Sequence, residues 1–271
     1  MSILSTIAKP SPRPPIITII GDAGTGKTSL AASFPDPVVI RAEDGVTRIH
    51  NSLERPDAFP PLTSTDMLWD QLMALLQEEH SYSTLIIDSV TKLEELFVRE
   101  ILETDKRAKG INQALGGYGN GPAAVAAGHA RVRKAAGLLN ERKGMAVIFI
   151  GHADLETMRL PDSDDYQRYS LRLMPKSIAP YVDDVDLVAL VRLCSALRGD
   201  EGERKKVVSD GSRELVCHAT AASVTKNGLG ITAPLDFEPG TNPLADALGI
   251  TAKKAAKEGG AAKEEKKEKS E

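Results

Sequence analysis

The sequence predicts an α/β fold: a mostly parallel sheet flanked by helices and extended by antiparallel strands in its C-terminal half. Three observations predict it. Between Ile16 and Ile150, short β-branched runs alternate with amphipathic helical stretches, the pattern of strand–helix–strand units. A glycine-rich turn, GDAGTGKT (21–28), directly follows the first of those runs. Beyond His152, strand-like runs succeed one another with few helical stretches between them.

The elements follow in order. Residues 1–14 end in Pro10, Pro12 and Pro14, with Pro15 next, so they read as a stiff, extended leader. IITII (16–20) closes at Gly21 and reads as a buried strand. KTSLAASF (27–34) is a helix stopped by Pro35, and VVI (38–40) is the second strand. From Asp66 to Glu79, Leu68, Leu72, Leu75 and Leu76 share one helical face. TLIID (84–88) is the third strand. A helix from Val90 repeats apolar residues at Leu93, Phe97 and Ile101. A glycine-rich loop spans about Gly110 to Gly121. Pro122 then suits the first turn of a helix running to Leu139. AVIFI (146–150) is the fourth strand. YSLRLM, DLVALVRL, KKVVS, ELVCHATA and ASVTK read as the antiparallel extension. From Ala252 onward nothing can anchor a core, so a disordered Lys/Glu-rich tail is expected. The expected organisation is a leader (1–14), one domain (15–250) and a tail (251–271).

The chain has 271 residues, 41% of them hydrophobic and only 4% aromatic, so its core must be mainly aliphatic. A formal charge of -4 shows no global positive excess, and any nucleic-acid site must be a local patch. Cys194 and Cys217 lie far apart without paired spacing, as expected of free thiols in a reducing compartment. No run approaches the ~18 apolar residues of a membrane span. The N-terminus lacks the basic region of a signal peptide. A cytoplasmic location without membrane contact is expected.

GDAGTGKT fits G-x-x-x-x-G-K-S/T, the phosphate-cradling loop. Glycines let the loop curl so that backbone N–H groups point inward at phosphate oxygens. The following helix aims its positive end at the same place. Asp22, Ala23, Gly24, Thr25, Gly26, Lys27, Thr28 and Ser29 are the expected nucleotide-binding residues. Lys27 supplies charge to the outer phosphates, and the Thr28 hydroxyl faces Mg2+. A second metal anchor is Asp88, delivered by an apolar strand to the edge where open α/β sheets bind ligands. Hydrolysis needs a group that orients the attacking water. Glu43, at the end of the second strand, suits that role. Asp44 competes for it, and the acidic pair could instead cap a helix or sit in solvent. His152, just past the fourth strand, can touch the terminal phosphate, or be an ordinary strand-end histidine.

Together these residues resemble the RecA-like P-loop ATPase core. The resemblance implies ATP and Mg2+ as cofactors and catalytic roles for Lys27, Glu43, Asp88 and His152. VTKNGLGITAP (224–234) is similar to the family element whose lysines reach a neighbouring subunit's ATP; Lys226 would be that cation. Gly228 stands where the family carries a second basic residue. SFPDPVVIRAEDG, TLIIDS and GGYGNG more narrowly resemble phage-encoded AAA-type, RecA-like ATPases of single-strand annealing and homologous recombination. That likeness implies a homo-oligomer with ATP at subunit interfaces, single-stranded DNA and a single-strand DNA-binding protein as partners, and the host cytoplasm.

In such proteins DNA binds loops matching 105–121 and 153–170 here. From Asp105 to Lys134 the basic residues include Lys106, Arg107, Lys109 and Arg131, with Tyr118 among glycines and Asp105 the single acid. This stretch suits phosphate tracking and base stacking, although a solvated mobile loop reads the same way. In the second region, Arg159, Arg168 and Arg172 are offset by five acidic residues between Asp154 and Asp165. Two other functions fit a phosphate cradle: a P-loop kinase for a small metabolite, and a nucleotide-switched interaction protein without DNA binding.

Overall fold

β-Branched residues fill the centre of the sheet. The computed structural model describes residues 3–9, 11–51, 54–161, 164–194, 196–198, 206–209, 211–238 and 240–250. Its elements run β1 (Ile16–Gly21), α1 (Lys27–Ala32), β2 (Pro37–Arg41), β3 (Asp57–Ala58), α2 (Thr65–Gln77) and β4 (Thr84–Asp88). Then come α3 (Val90–Thr104), α4 (Asn120–Lys143), β5 (Ala146–Met158), β6 (Tyr166–Leu171), α5 (Pro175–Val182) and β7 (Leu187–Leu193). The chain continues with β8 (Ala196–Arg198), β9 (Lys206–Val208), β10 (Arg213–Val216), β11 (Lys226–Asn227), β12 (Leu235–Asp236) and α6 (Pro243–Ala247).

The main sheet has the order β12-β10-β7-β1-β5-β4-β2-β3, with β11 beside β7 and β6 beside β5. Pairings from β7 through β3 are parallel. Those of β10, β11, β12 and β6 are antiparallel. This is the mostly parallel α/β sheet with an antiparallel extension that the sequence predicts. Strand alternation divides the core. Ile16, Ile20, Ile87, Val147 and Phe149 face α2, α3, α4 and α5. Ile17, Ile19, Ile86, Ile148 and Ile150 face α1 and α6. Both faces of the central strands are therefore dry, which is why they read as unbroken apolar runs.

Five local features differ from expectation. β5 does not stop at Ile150: it continues to Met158, and His152 lies within it. Residues 153–158 pair with β6 as a hairpin, from Ala153 opposite Leu171 to Met158 opposite Tyr166. The hairpin leaves the core, so its exposed residues carry no apolar signal, and 153–170 is mostly strand. The 110–121 segment holds a 3-10 turn over Ile111–Gly116, and α4 begins at Asn120. There the Asp105 carboxylate accepts the Leu115 N–H at 2.8 Å. The helices α5 and α6 went unread because Pro180 interrupts one pattern and the other is only five residues long. ASVTK contributes only the start of β11, and ELVCHATA contracts to the β10 segment. The leader includes one 3-10 turn, Ile3–Thr6; the expected tail from residue 251 lies outside the described residues.

Tyr181 of α5 ties the helical layer to the sheet. It is fully buried; its hydroxyl meets His129 Nδ1 at 2.8 Å, and its carbonyl accepts the Thr18 hydroxyl at 2.6 Å. Burial, with the negative Glu94 nearby, pushes its phenol well above the ordinary value. Tyr181→Phe keeps the ring and the carbonyl contact but strands the imidazole. A loss of about 1–2 kcal/mol is expected in urea unfolding.

Candidate active site

Parallel register brings the ends of β1, β4 and β2 and the middle of β5 to one rim. Gly21 is level with His152 across β1 and β5. Asp88 is level with Ile150 on one side and Arg41 on the other. The loop after β1 turns directly into α1, with Gly26 at φ 99°, a left-handed conformation that favours glycine. Asp22, Ala23, Gly24 and Ser29 line this loop on its exposed side, and Thr25 turns inward to donate its hydroxyl to the Asp22 carbonyl at 2.9 Å. The Lys27 amine folds back over the loop, donating to the Gly21 and Asp22 carbonyls at 2.9 and 2.7 Å. Burial lowers its pKa, against the raising influence of Asp88 and Glu43.

Glu43 sits two residues beyond the end of β2. Its N–H and that of Ala42 both donate to the Asp88 carbonyl, at 3.0 and 2.7 Å. This doubled anchor turns the Glu43 carboxylate toward His152 Nε2, 3.2 Å away. Asp44 points elsewhere, pairing with Arg41 at 3.3 Å in solvent. The geometry thus separates the two carboxylates that the sequence left in competition. His152 is held in turn by its N–H, which donates to the Thr91 hydroxyl at 3.0 Å.

The two rim carboxyls titrate as a pair in opposite directions. Burial opposes charge on Glu43, but hydrogen bonds from His152 and Ser89, with the charge of His152, outweigh it and pull the carboxyl down to about 2. Burial above all pushes Asp88 up to about 7, aided by the negative Glu43 and opposed by the Thr28 hydrogen bond and Lys27. Charge is thus favoured on Glu43 and disfavoured on Asp88.

Thr28 Oγ1 donates to Asp88 Oδ2 at 2.8 Å. A β-carbon at Gly45 would lie 2.5 Å from that Asp88 oxygen and 2.8 Å from the Thr28 hydroxyl. Gly45 thus keeps open a small corner walled by hard oxygen donors. Such a corner fits Mg2+, which binds one or two protein oxygens and takes the rest from phosphate and water. Gly45 has an ordinary φ of -67°, so Gly45→Ala suits the backbone and fills only the corner. The variant is expected to lose about tenfold in the Mg2+-dependent part of nucleotide affinity, measured by titrating nucleotide with and without the ion.

A family model described as AAA domain matches residues 13–228. The chain belongs to this AAA domain family. No curated protein matches the chain. Among solved structures it is similar to the "Crystal structure of the RadB recombinase", at 12% identity over 75% of this chain and 80% of that chain, with a TM-score of 0.42. In this AAA domain the strand of His152 separates the P-loop strand from that of Asp88. The α/β core expected from the RecA-like resemblance is present.

Other expected residues of the AAA domain lie apart from this rim. Lys226 on β11 is opposite Val188, which is level with Thr18 of β1. It stands three residues below Gly21, about 10 Å along the strand. Its amine donates to the Asp183 carbonyl at 2.6 Å. The Gly228 position has no room for a side chain, since a β-carbon would meet the Asp186 carbonyl oxygen at 2.8 Å. Lys106, Arg107 and Lys109 are exposed, and Tyr118 is fully so, at φ 50°. Arg131 is not in their loop. It lies three turns into α4, stacked 3.9 Å over the Trp69 ring. Gly45, Ser89 and Arg213 also join the site, and sequence reasoning passed over all three. Ser89 was legible as the residue after Asp88; Gly45 and Arg213 carry no local signal. No helix of the described residues is long and apolar enough to cross a membrane.

Proposed function

We propose that this AAA domain hydrolyses ATP with Mg2+ and binds single-stranded DNA. In this reading it supports annealing or homologous recombination, in phage DNA metabolism within the host cytoplasm. The observation that carries the hydrolytic reading is the Glu43 carboxylate, fixed by two backbone hydrogen bonds beside Asp88 and 3.2 Å from His152. A carboxylate so placed and kept ionised can orient a water toward a terminal phosphate and take its proton. The loop N–H groups and Lys27 hold the phosphates, and His152 senses the terminal one through the Glu43 contact. Thr28 and Asp88 hold Mg2+, which when bound neutralises developing charge on the phosphates.

The DNA reading is supported by the exposed Lys106, Arg107 and Lys109 near a fully exposed Tyr118. Cations beside an aromatic ring suit a single strand. Arg131 is set aside from that group because Trp69 already occupies it. The proposal includes a homo-oligomer in which Lys226 approaches a neighbour's ATP, and a companion single-strand DNA-binding protein. It also places the working domain at 15–250, between a leader (1–14) and a tail (251–271).

The test is ATP turnover with and without single-stranded DNA, repeated for Tyr118→Ala. DNA stimulation of wild type that falls at least severalfold in the variant supports the reading; base stacking of this kind is worth about 1–3 kcal/mol. Turnover indifferent to DNA removes the recombination role. Turnover that requires a small acceptor makes the protein a kinase, and absence of turnover makes it a nucleotide-controlled switch.

A further inference from the structure

The antiparallel extension reaches the P-loop from the side opposite Glu43. Arg213 opens β10 opposite Leu193, two residues beyond the level of Gly21, and so stands at the same rim. The Phe237 N–H donates to the Arg213 carbonyl at 2.9 Å, which sets the two side by side. Both press on the cradle: a β-carbon at Gly26 would lie 3.0 Å from the Phe237 ring and 3.2 Å from Arg213 Nη1. Phe237 is almost completely buried. Arg213 Nε is buried without a hydrogen-bond partner among the described residues. The neighbouring carboxylate, Glu214, is engaged by Arg192 at 2.7 Å. A guanidinium has therefore been brought against Gly26 of the phosphate cradle, with a buried donor left open. An anion in the cradle supplies the missing acceptor, since buried donors are normally paired.

The direction of the nucleotide follows from the sheet order. Thr28, Asp88, Glu43 and His152 gather on the β5–β4–β2 side of β1. That side takes the terminal phosphate in the proposed reaction. A phosphate chain laid with its end there presents its other end to the β7–β10 side, where Arg213 and Phe237 stand. We infer that Arg213 binds the nucleoside half of the nucleotide, at the innermost phosphate and sugar, with Phe237 as its apolar wall. This inference rests on the nucleotide reading of the P-loop. An arginine fork suits a phosphate and is weakly hydrated, so the half-buried site costs it little. Since this half is common to ATP and ADP, the contact serves affinity and not the chemical step. It also ties nucleotide occupancy to β10 and β12, the part of the sheet added beyond the parallel core.

The test uses the full chain with Mg2+ and a fluorescent ADP analogue, comparing wild type, Arg213→Gln, Arg213→Lys and Lys27→Ala. Arg213→Gln is expected to weaken ADP binding about tenfold or more. The KM for ATP should rise by a similar factor, with kcat falling by much less, and Arg213→Lys should recover part of the loss. In wild type, ADP should also slow amide exchange in β10 and β12; in Arg213→Gln that protection should be lost at equal saturation, a readout independent of folding yield. Unchanged ADP affinity in Arg213→Gln, or a loss confined to kcat, overturns the inference. If binding is lost in Lys27→Ala yet kept in Arg213→Gln, only this inference fails. If Lys27→Ala binds as wild type does, the P-loop reading fails and takes the inference with it.

Discussion

Glu43→Gln is expected to reduce ATP turnover about a thousandfold, within the range contributed by a positioned general base. Nucleotide should still bind, because the cradle and Lys27 belong to a different segment. The substitution is nearly isosteric. The backbone anchor to the Asp88 carbonyl, at 3.0 Å, does not involve the side chain. An amide can keep a contact to His152 Nε2, now at 3.2 Å from the carboxylate. What it loses is the negative charge and the ability to accept a proton. In the native protein that charge persists, since His152 and Ser89 overcome burial and pull the carboxyl down to about 2. Glu43 is thus ionised across the neutral range. Steady-state turnover, with binding of a fluorescent nucleotide measured in parallel, checks this. More than a tenth of wild-type turnover in the variant would falsify the role of Glu43.

Asp88→Asn is expected to abolish Mg2+-dependent turnover and, in the nucleotide-free protein, to raise stability. The sign follows from burial. Asp88 is pushed up to about 7, whereas an unfolded aspartate titrates near ~3.9. The folded state therefore holds a proton that the unfolded state has already lost. The stability tied to that proton is complete below about pH 4 and is lost as pH rises through about 7, with a ceiling of about 4 kcal/mol. Glu43, pulled down to about 2, works in reverse: its contribution exists above its unfolded value and is lost as pH falls through about 2. Asparagine removes only the Asp88 penalty. Urea unfolding should therefore show Asp88→Asn more stable by about 1–3 kcal/mol at pH 8, with little difference at pH 4. A variant equally stable, or less stable, at pH 8 would show that the buried charge is compensated by other groups.

Lys27, Thr28 and Asp88 were legible because each sits inside a short local pattern: a glycine turn before a helix, or an apolar run ending in acid. Glu43 was legible only as one of two carboxylates; the choice needed Arg41, which draws Asp44 outward. His152 was placed at the right rim but not recognised as mid-strand. The continuation of β5 is exposed on both faces and so lacks the alternation that marks a half-buried strand. Arg131, on the helix read from Pro122, was grouped with Lys106, Arg107 and Lys109 only by proximity in sequence. Its partner Trp69 lies on α2, and only packing of α2 against α4 joins them. Gly45 and Arg213 were beyond reach for the same reason. Their meaning comes from Asp88 and Gly26, each brought near by the sheet and not by the chain.

The thirteen residues of β5 form one unbroken strand, with the imidazole of residue 152 near its middle. From that ring to Met158 the backbone covers about 20 Å, braced along its length by β6. The hairpin's far end is therefore joined to the chemical centre by continuous strand backbone, with no loop between them.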